Sequence, residues 1–214
     1  MTGLRVPPGR SGRQWLRHRL TVAERGVGLL EQKLRLLRAE QERLHHRLDE
    51  TRREWARSAA DADTWGLRAG MAAGQRGLRL AAAGDLATVR LRRTSIMGVS
   101  YPADPEIGLP DGDTPGDTHG GVVGGAVVGS ASLVHARVAY RLALVAAVHH
   151  ATAANAAEIV DREVAATAQR WRALRKHWIP RLRRALALLE LELEELERSE
   201  AVRRRWAART GEAG

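Results

Sequence analysis

Four groups of residues in this chain have types and spacings that bear on chemistry. Gly120-Gly121-Val122-Val123-Gly124-Gly125 has the glycine density of a phosphate-cradling loop. It lacks a following Gly-Lys-Ser/Thr, an acidic residue at dinucleotide spacing and a good preceding strand, so it reads as a turn. The pairs His45-His46 and His149-His150 offer imidazoles, but adjacent helical residues diverge by about 100° and no second His or Glu stands at ligand spacing. They read as histidines at a core edge or surface. The carboxylates Glu190, Glu192, Glu194, Glu195 and Glu197 surround a leucine stripe as a solvated sleeve, not as a buried acid–base pair.

The fourth group is Arg170, Arg172, Arg175, Lys176, Arg181, Arg183 and Arg184, a belt that contains no acid and is interleaved with Trp171 and Trp178. Three readings apply: a solvated face, a nucleic-acid contact whose affinity falls steeply with salt, or a positive collar facing acidic partner residues. The formal charge of +10 is carried almost wholly by arginine. Residues 13–57 hold twelve Lys+Arg against seven Asp+Glu and residues 133–208 hold fourteen against nine, whereas residues 102–119 hold five acids and no base. Glu interleaved with Arg argues for ion-paired helix faces over an uninterrupted phosphate track, so nucleic acid is not the expected partner.

These groups must be positioned by long helices. Leu16, Leu20, Ala23, Val27, Leu30, Leu34, Leu37, Gln41, Leu44, Leu48, Thr51 and Trp55 follow an unbroken 4-3 spacing, and ten of the twelve are apolar. Such a narrow stripe is a coiled-coil seam and requires a partner helix. A second seam begins with Val138, Leu142, Val145, His149, Thr152, Ala156 and Ile159, and a third follows Pro180 as Leu182, Leu186, Leu189, Leu193 and Leu196. Trp171, Leu174 and Trp178 lie one residue out of phase with that last stretch, so the supercoil must adjust near the proline.

The expected fold is mainly α: a long antiparallel two-helix coiled coil with a short mid-chain insertion. Residues 1–12 form a flexible lead-in with Ser11 as helix cap, 13–84 the first helix and its extension, 131–208 the second helix, and 209–214 a tail. The insertion, 85–130, carries strand-like alternation at Val89, Leu91, Met97, Val99 and Tyr101. A turn-rich acidic loop is expected over 102–121. Gly26 and Gly28 read as small residues admitting a neighbouring helix, in preference to a hinge.

The chain has no Phe and no Cys, so Leu, Ala and Val carry the packing, and disulfides and thiolate metal sites are excluded. The N-terminus has no signal-like apolar run, and no stretch reads as a membrane span. A cytoplasmic protein without catalytic residues or cofactor is expected.

Three motifs in order carry a family resemblance. Val6-Pro7-Pro8 with Arg19-Leu20, Ala23, Arg25-Gly26, Leu29-Leu30 and Lys33 opens the chain; Ser95-Ile96-Met97-Gly98-Val99 with Pro102 lies mid-chain. Ala173-Leu174, Ile179-Pro180-Arg181-Leu182 and Leu193-Glu194-Glu195-Leu196-Glu197-Arg198 stand near the C-terminus. Together they resemble the D subunits of the vacuolar/archaeal-type (V/A-type) rotary ATPases. The resemblance implies a non-catalytic central rotor shaft whose termini reach into the ring of catalytic and regulatory subunits. It also implies a small partner, the F subunit, on the shaft's side and a membrane-rotor adaptor at the insertion. The alternative from the residues alone is a self-standing basic coiled-coil scaffold or nucleic-acid-binding protein.

Overall fold

The computed structural model describes residues 5–81, 86–109 and 131–211; the Gly120–Gly125 run and most of the acidic loop lie outside them. Helix α1 spans Gly9–Ala81, strands β1 and β2 span Thr88–Ile96 and Val99–Gly108, and helix α2 spans Ala131–Ala173. A π-helical turn, Leu174–Trp178, joins α2 to helix α3, Ile179–Gly211. The helices are built from Leu, Ala, Arg and Glu, which lose little freedom in a helix. α1 starts inside the expected lead-in. Ser11 does not cap it; its hydroxyl donates back to the Pro8 carbonyl at 3.1 Å. Near its far end α1 is kinked at Gly74, where φ 65 demands a residue without Cβ.

The chain divides into two compact units. The terminal unit, Met1–Arg35 with Val164–Gly214, is an antiparallel helix pair. Its core is Leu16, Ala23, Ile179 and Leu182, with Val6, Trp15, Leu20, Val27, Leu186 and Leu189 packed around it. Val6 belongs to this cluster, so the lead-in is part of the packing. Arg10–Glu197, Arg17–Glu190 and Glu24–Arg183 bridge the helices at 3.1, 2.6 and 2.7 Å, each one heptad from the next. All three are solvent-exposed and contribute at most about 1 kcal/mol apiece. Their sign change matters more: a slip of one heptad would set Arg17 opposite Arg183, so the ladder rejects that register.

The π-turn resolves the phase mismatch expected near Pro180. Buried or half-buried positions arrive as Thr167, Trp171, Leu174 and Trp178, then resume as Leu182, Leu186, Leu189 and Leu193. The Ile179 N–H donates to the Leu174 carbonyl, five residues back. A π-turn inserts one residue into the helix, which is the offset separating the two stretches. Leu196, expected to continue the seam, is 56% exposed.

In the hairpin unit, Leu36–Glu163, α1 and α2 are again antiparallel. Trp55 stacks on His150 and Trp65 on His135, with ring centroids 5.2 and 4.5 Å apart. The α1 seam buries Leu37, Leu44 and Thr51 and continues past Trp55 to Ala62 and Ala69. On α2 the expected seam holds at Thr152 and Ala156, which are buried, but its first part is shifted by one residue. Ala136, Ala139, Ala146, Ala153, Ala157 and Val160 are buried, whereas Val138 and Leu142 are 53% and 59% exposed. Val145 and Ile159 are half-buried at its margin. Alanine lines the true seam, so side-chain size does not mark it. An 18-residue window within Ala131–Ala207 has mean hydropathy 1.4, enough by length and composition to cross a membrane. Of that window 22% is buried, and one such helix is weak evidence for a span.

β1 and β2 pair antiparallel, and the turn residues Met97 and Gly98 both have positive φ, as a two-residue hairpin turn requires. β2 runs through Pro102 and Pro105, where a loop is expected. A two-stranded sheet tolerates proline because a strand with a free edge need not donate every N–H, and the register shifts between Leu91 and Arg93 beside these prolines.

Equilibrium unfolding distinguishes the two seam phases. Leu182→Ala should cost about 2–5 kcal/mol, since Leu182 is fully buried. Val138→Ala should change stability by less than about 0.5 kcal/mol. A loss at Val138 comparable to that at Leu182 would contradict the phase described here.

Candidate functional site

Among the described residues, charge is organised in the belt, in the seat of the hairpin and in the ladder between the terminal helices. All seven belt residues are exposed, but they do not share one role. Arg175 Nη1 donates to Glu31 Oε1 at 2.9 Å and its guanidinium lies over the Trp171 ring, 5.0 Å from the centroid. Trp171 Nε1 donates to the same carboxylate oxygen at 3.0 Å. Arg183 is a rung of the ladder through Glu24. Arg170 and Arg181 also have partners. Thus Arg175 and Arg183 hold the helix pair together, while Arg172, Lys176 and Arg184 stand outward on π-turn and helix surfaces.

The ladder is what sequence reasoning missed. Arg10, Arg17, Glu24 and Glu31 recur every seven residues beside the α1 seam, and Glu197, Glu190 and Arg183 recur with the opposite signs in reverse order. Reading Glu190 and Glu197 only as a sleeve overlooks that complementarity. Gln41 is also engaged in the hairpin unit: its Nε2 donates to Asp161 Oδ1 at 2.7 Å, and His45 Nε2 lies 3.0 Å from the same oxygen.

The hairpin is seated by β2. Val99, Tyr101, Pro102 and Pro105 are buried, and beside them Arg43, Arg47, Thr94, Thr152 and Asp104 line a small cleft. The Tyr101 hydroxyl donates to Glu40 Oε1 at 2.5 Å, Arg43 donates to the same carboxylate, and Arg47 pairs with Asp104. The Arg43 guanidinium holds the Glu40 carboxyl below its ordinary range, and Arg47 does the same for Asp104. Burial, reinforced by the Glu40 carboxylate that accepts its proton, pushes the Tyr101 phenol up. Thr152 and Ala156, expected in the α2 seam, line or flank this seat. The arrangement is mechanical in character: charged groups join helix to helix and strand to helix.

Linkage fixes the pH dependence. Glu40, with its folded pKa depressed, stabilises the seat above the ordinary carboxyl value of 4.5, and the contribution is lost as pH falls through the lower folded value. Tyr101, with its folded pKa raised, contributes below the ordinary 10.0 and loses that contribution as pH rises through the folded value. The chain has two tyrosines. In the Tyr140→Phe variant the remaining phenol should titrate above 10.0 by ultraviolet absorbance, and adding Glu40→Gln should bring it down. Titration at or below 10.0 in the single variant would remove Tyr101 from the seat.

No curated protein matches this chain. Comparison with protein families matches residues 13–209 to the D subunits of ATP synthase. The matched span takes in both helical arms, the hairpin, the π-turn and the belt. The chain therefore belongs to the family of ATP synthase D subunits and is a stalk component, not a catalytic one, of a membrane-associated rotary ATPase.

Proposed function

We propose that the chain is the central rotor shaft of its complex and transmits torque between an ATP-handling ring and a membrane-embedded rotor. The terminal unit lies within the ring of catalytic and regulatory subunits, and the hairpin unit faces a membrane-rotor adaptor. A small stalk partner, the F subunit, lies on the shaft's side. The protein is cytoplasmic and peripheral to the membrane, and ATP chemistry takes place in the ring.

The observation that carries this reading is the partition of charge. The terminal unit holds 20 Lys+Arg against 9 Asp+Glu, a formal +11, and the hairpin unit holds 15 against 16, a formal −1. All of the net charge therefore belongs to the unit assigned to the ring. A smooth cationic surface supports attraction to surrounding carboxylates without committing to one fixed ion pair, which suits a part that must turn against its neighbours. At the other unit, Leu67, Met71, Val134, Val138 and Leu142 are exposed, an apolar set that supports docking of an adaptor.

Affinity purification from native lysate tests the assignment: ring subunits and a membrane-rotor adaptor should co-elute. Salt-sensitive nucleic acid recovered without ring subunits would favour the scaffold or nucleic-acid reading instead. In the reconstituted complex, Arg172→Glu/Lys176→Glu/Arg184→Glu should lower the coupling of hydrolysis to rotation severalfold while circular dichroism stays unchanged. Unaltered coupling would remove the belt from the ring contact.

A further inference from the structure

We infer that the terminal helix pair contains a built-in hinge at the level where Gly26 and Gly28 of α1 meet the Leu174–Trp178 π-turn. The alignment of the two weak points is visible in the contacts. Glu24 and Glu31 bracket the glycines on α1, and their partners Arg183 and Arg175 bracket the end of the π-turn and Pro180 on the other arm. A Cβ placed on Gly26 would lie nearest Leu174 Cδ1.

Packing does not explain the glycines. That added Cβ would sit 3.9 Å from Leu174, an ordinary contact, and at Gly28 it would meet nothing within 4 Å. The reading of both as residues that admit a neighbouring helix is therefore replaced. What glycine does supply at an unconstrained helical position is backbone freedom. Across from it, the Ile179 N–H reaches five residues back, and Pro180 has no N–H to return to the ladder. A helix bends where its ladder is interrupted, and π-turns and prolines are such places.

Ordered packing flanks this level. Leu16, Ala23 and Leu182 are buried toward the chain termini, and Leu34, Thr167 and Ala168 toward the other end of the unit, and packing continues through the level itself, where Ile179 is buried and Val27 and Trp178 pack against the cluster. What distinguishes this level is the backbone, two glycines on one arm and a π-turn with a proline on the other, so bending and twist draw on the interrupted ladder and not on a gap in the seam. The Glu31 carboxylate, which accepts from both Trp171 and Arg175, is the latch that returns the hinge to its resting form. The hinge rests on this geometry alone; its use as the elastic element of a shaft rests on the rotor reading.

Hydrogen–deuterium exchange on the purified full chain tests it in the absence of the ring. Amides of residues 27–31 and 175–179 should exchange about tenfold or more faster than those of 16–23 and 164–172. Gly26→Ala/Gly28→Ala should slow exchange at this level on both arms with helicity retained. Deleting Lys176 together with Pro180→Ala removes the extra residue and the proline, and should slow it as well. Uniform exchange along both arms, or a glycine variant that leaves the pattern unchanged, would overturn the hinge. Either result leaves the rotor assignment to be judged by what co-purifies.

Discussion

A helix that buries only a narrow stripe depends on the phase of that stripe. In this chain the constraint is severe, because much of α2 offers alanine to the seam and alanine gives a small contact area for each position buried. A rotation of one residue, about 100°, would replace Ala139 and Ala146 by Val138 and Val145 and lose the partner's complementary surface. The two stretches on either side of Leu174–Trp178 are out of phase by that amount, and the π-turn absorbs the difference where Pro180 already interrupts the ladder. The proline, the π-turn and the one-residue offset are thus a single feature.

Ion pairs act on this framework as selectors of register. Each rung is exposed and weak, yet the order of signs along Arg10, Arg17, Glu24 and Glu31 fits its counterpart in one alignment. The same logic applies to the hairpin, where Glu40, Arg43 and Tyr101 form a connected group and Arg47–Asp104 a second tie. Apolar burial supplies cohesion, and the charged groups decide which helix and which strand lie together.

How much of this the sequence discloses depends on side-chain size. On α1 the large residues and the buried face coincide, as at Leu16, Leu34, Leu37 and Leu44, so periodicity finds it directly. On the first part of α2 they diverge: Val138 and Leu142 dominate the pattern while Ala136, Ala139 and Ala146 do the packing, whereas further on the expected Thr152 and Ala156 are buried. Alternation at Val99 and Tyr101 announces β2, but Pro102 and Pro105 hide its continuation because proline reads as a loop until the strand is seen to lie in a two-stranded sheet. The belt is legible as composition, but its division into Arg175 and Arg183, which tie the helices, and outward Arg172, Lys176 and Arg184 depends on a partner arm distant in sequence. Gly26 and Gly28 are equally ambiguous until the space around them is known.

Membership in the family of ATP synthase D subunits places these features in a stalk, and the rotor shaft we propose must turn within the ring. The chain has no cysteine, so a single Met97→Cys substitution at the exposed hairpin turn provides a unique attachment point. Single-molecule imaging of a probe attached there, with the ring immobilised, measures that rotation directly. A rotor shaft should show unidirectional, stepwise rotation that requires ATP. A probe that stays fixed relative to the ring while ATP is hydrolysed would contradict it.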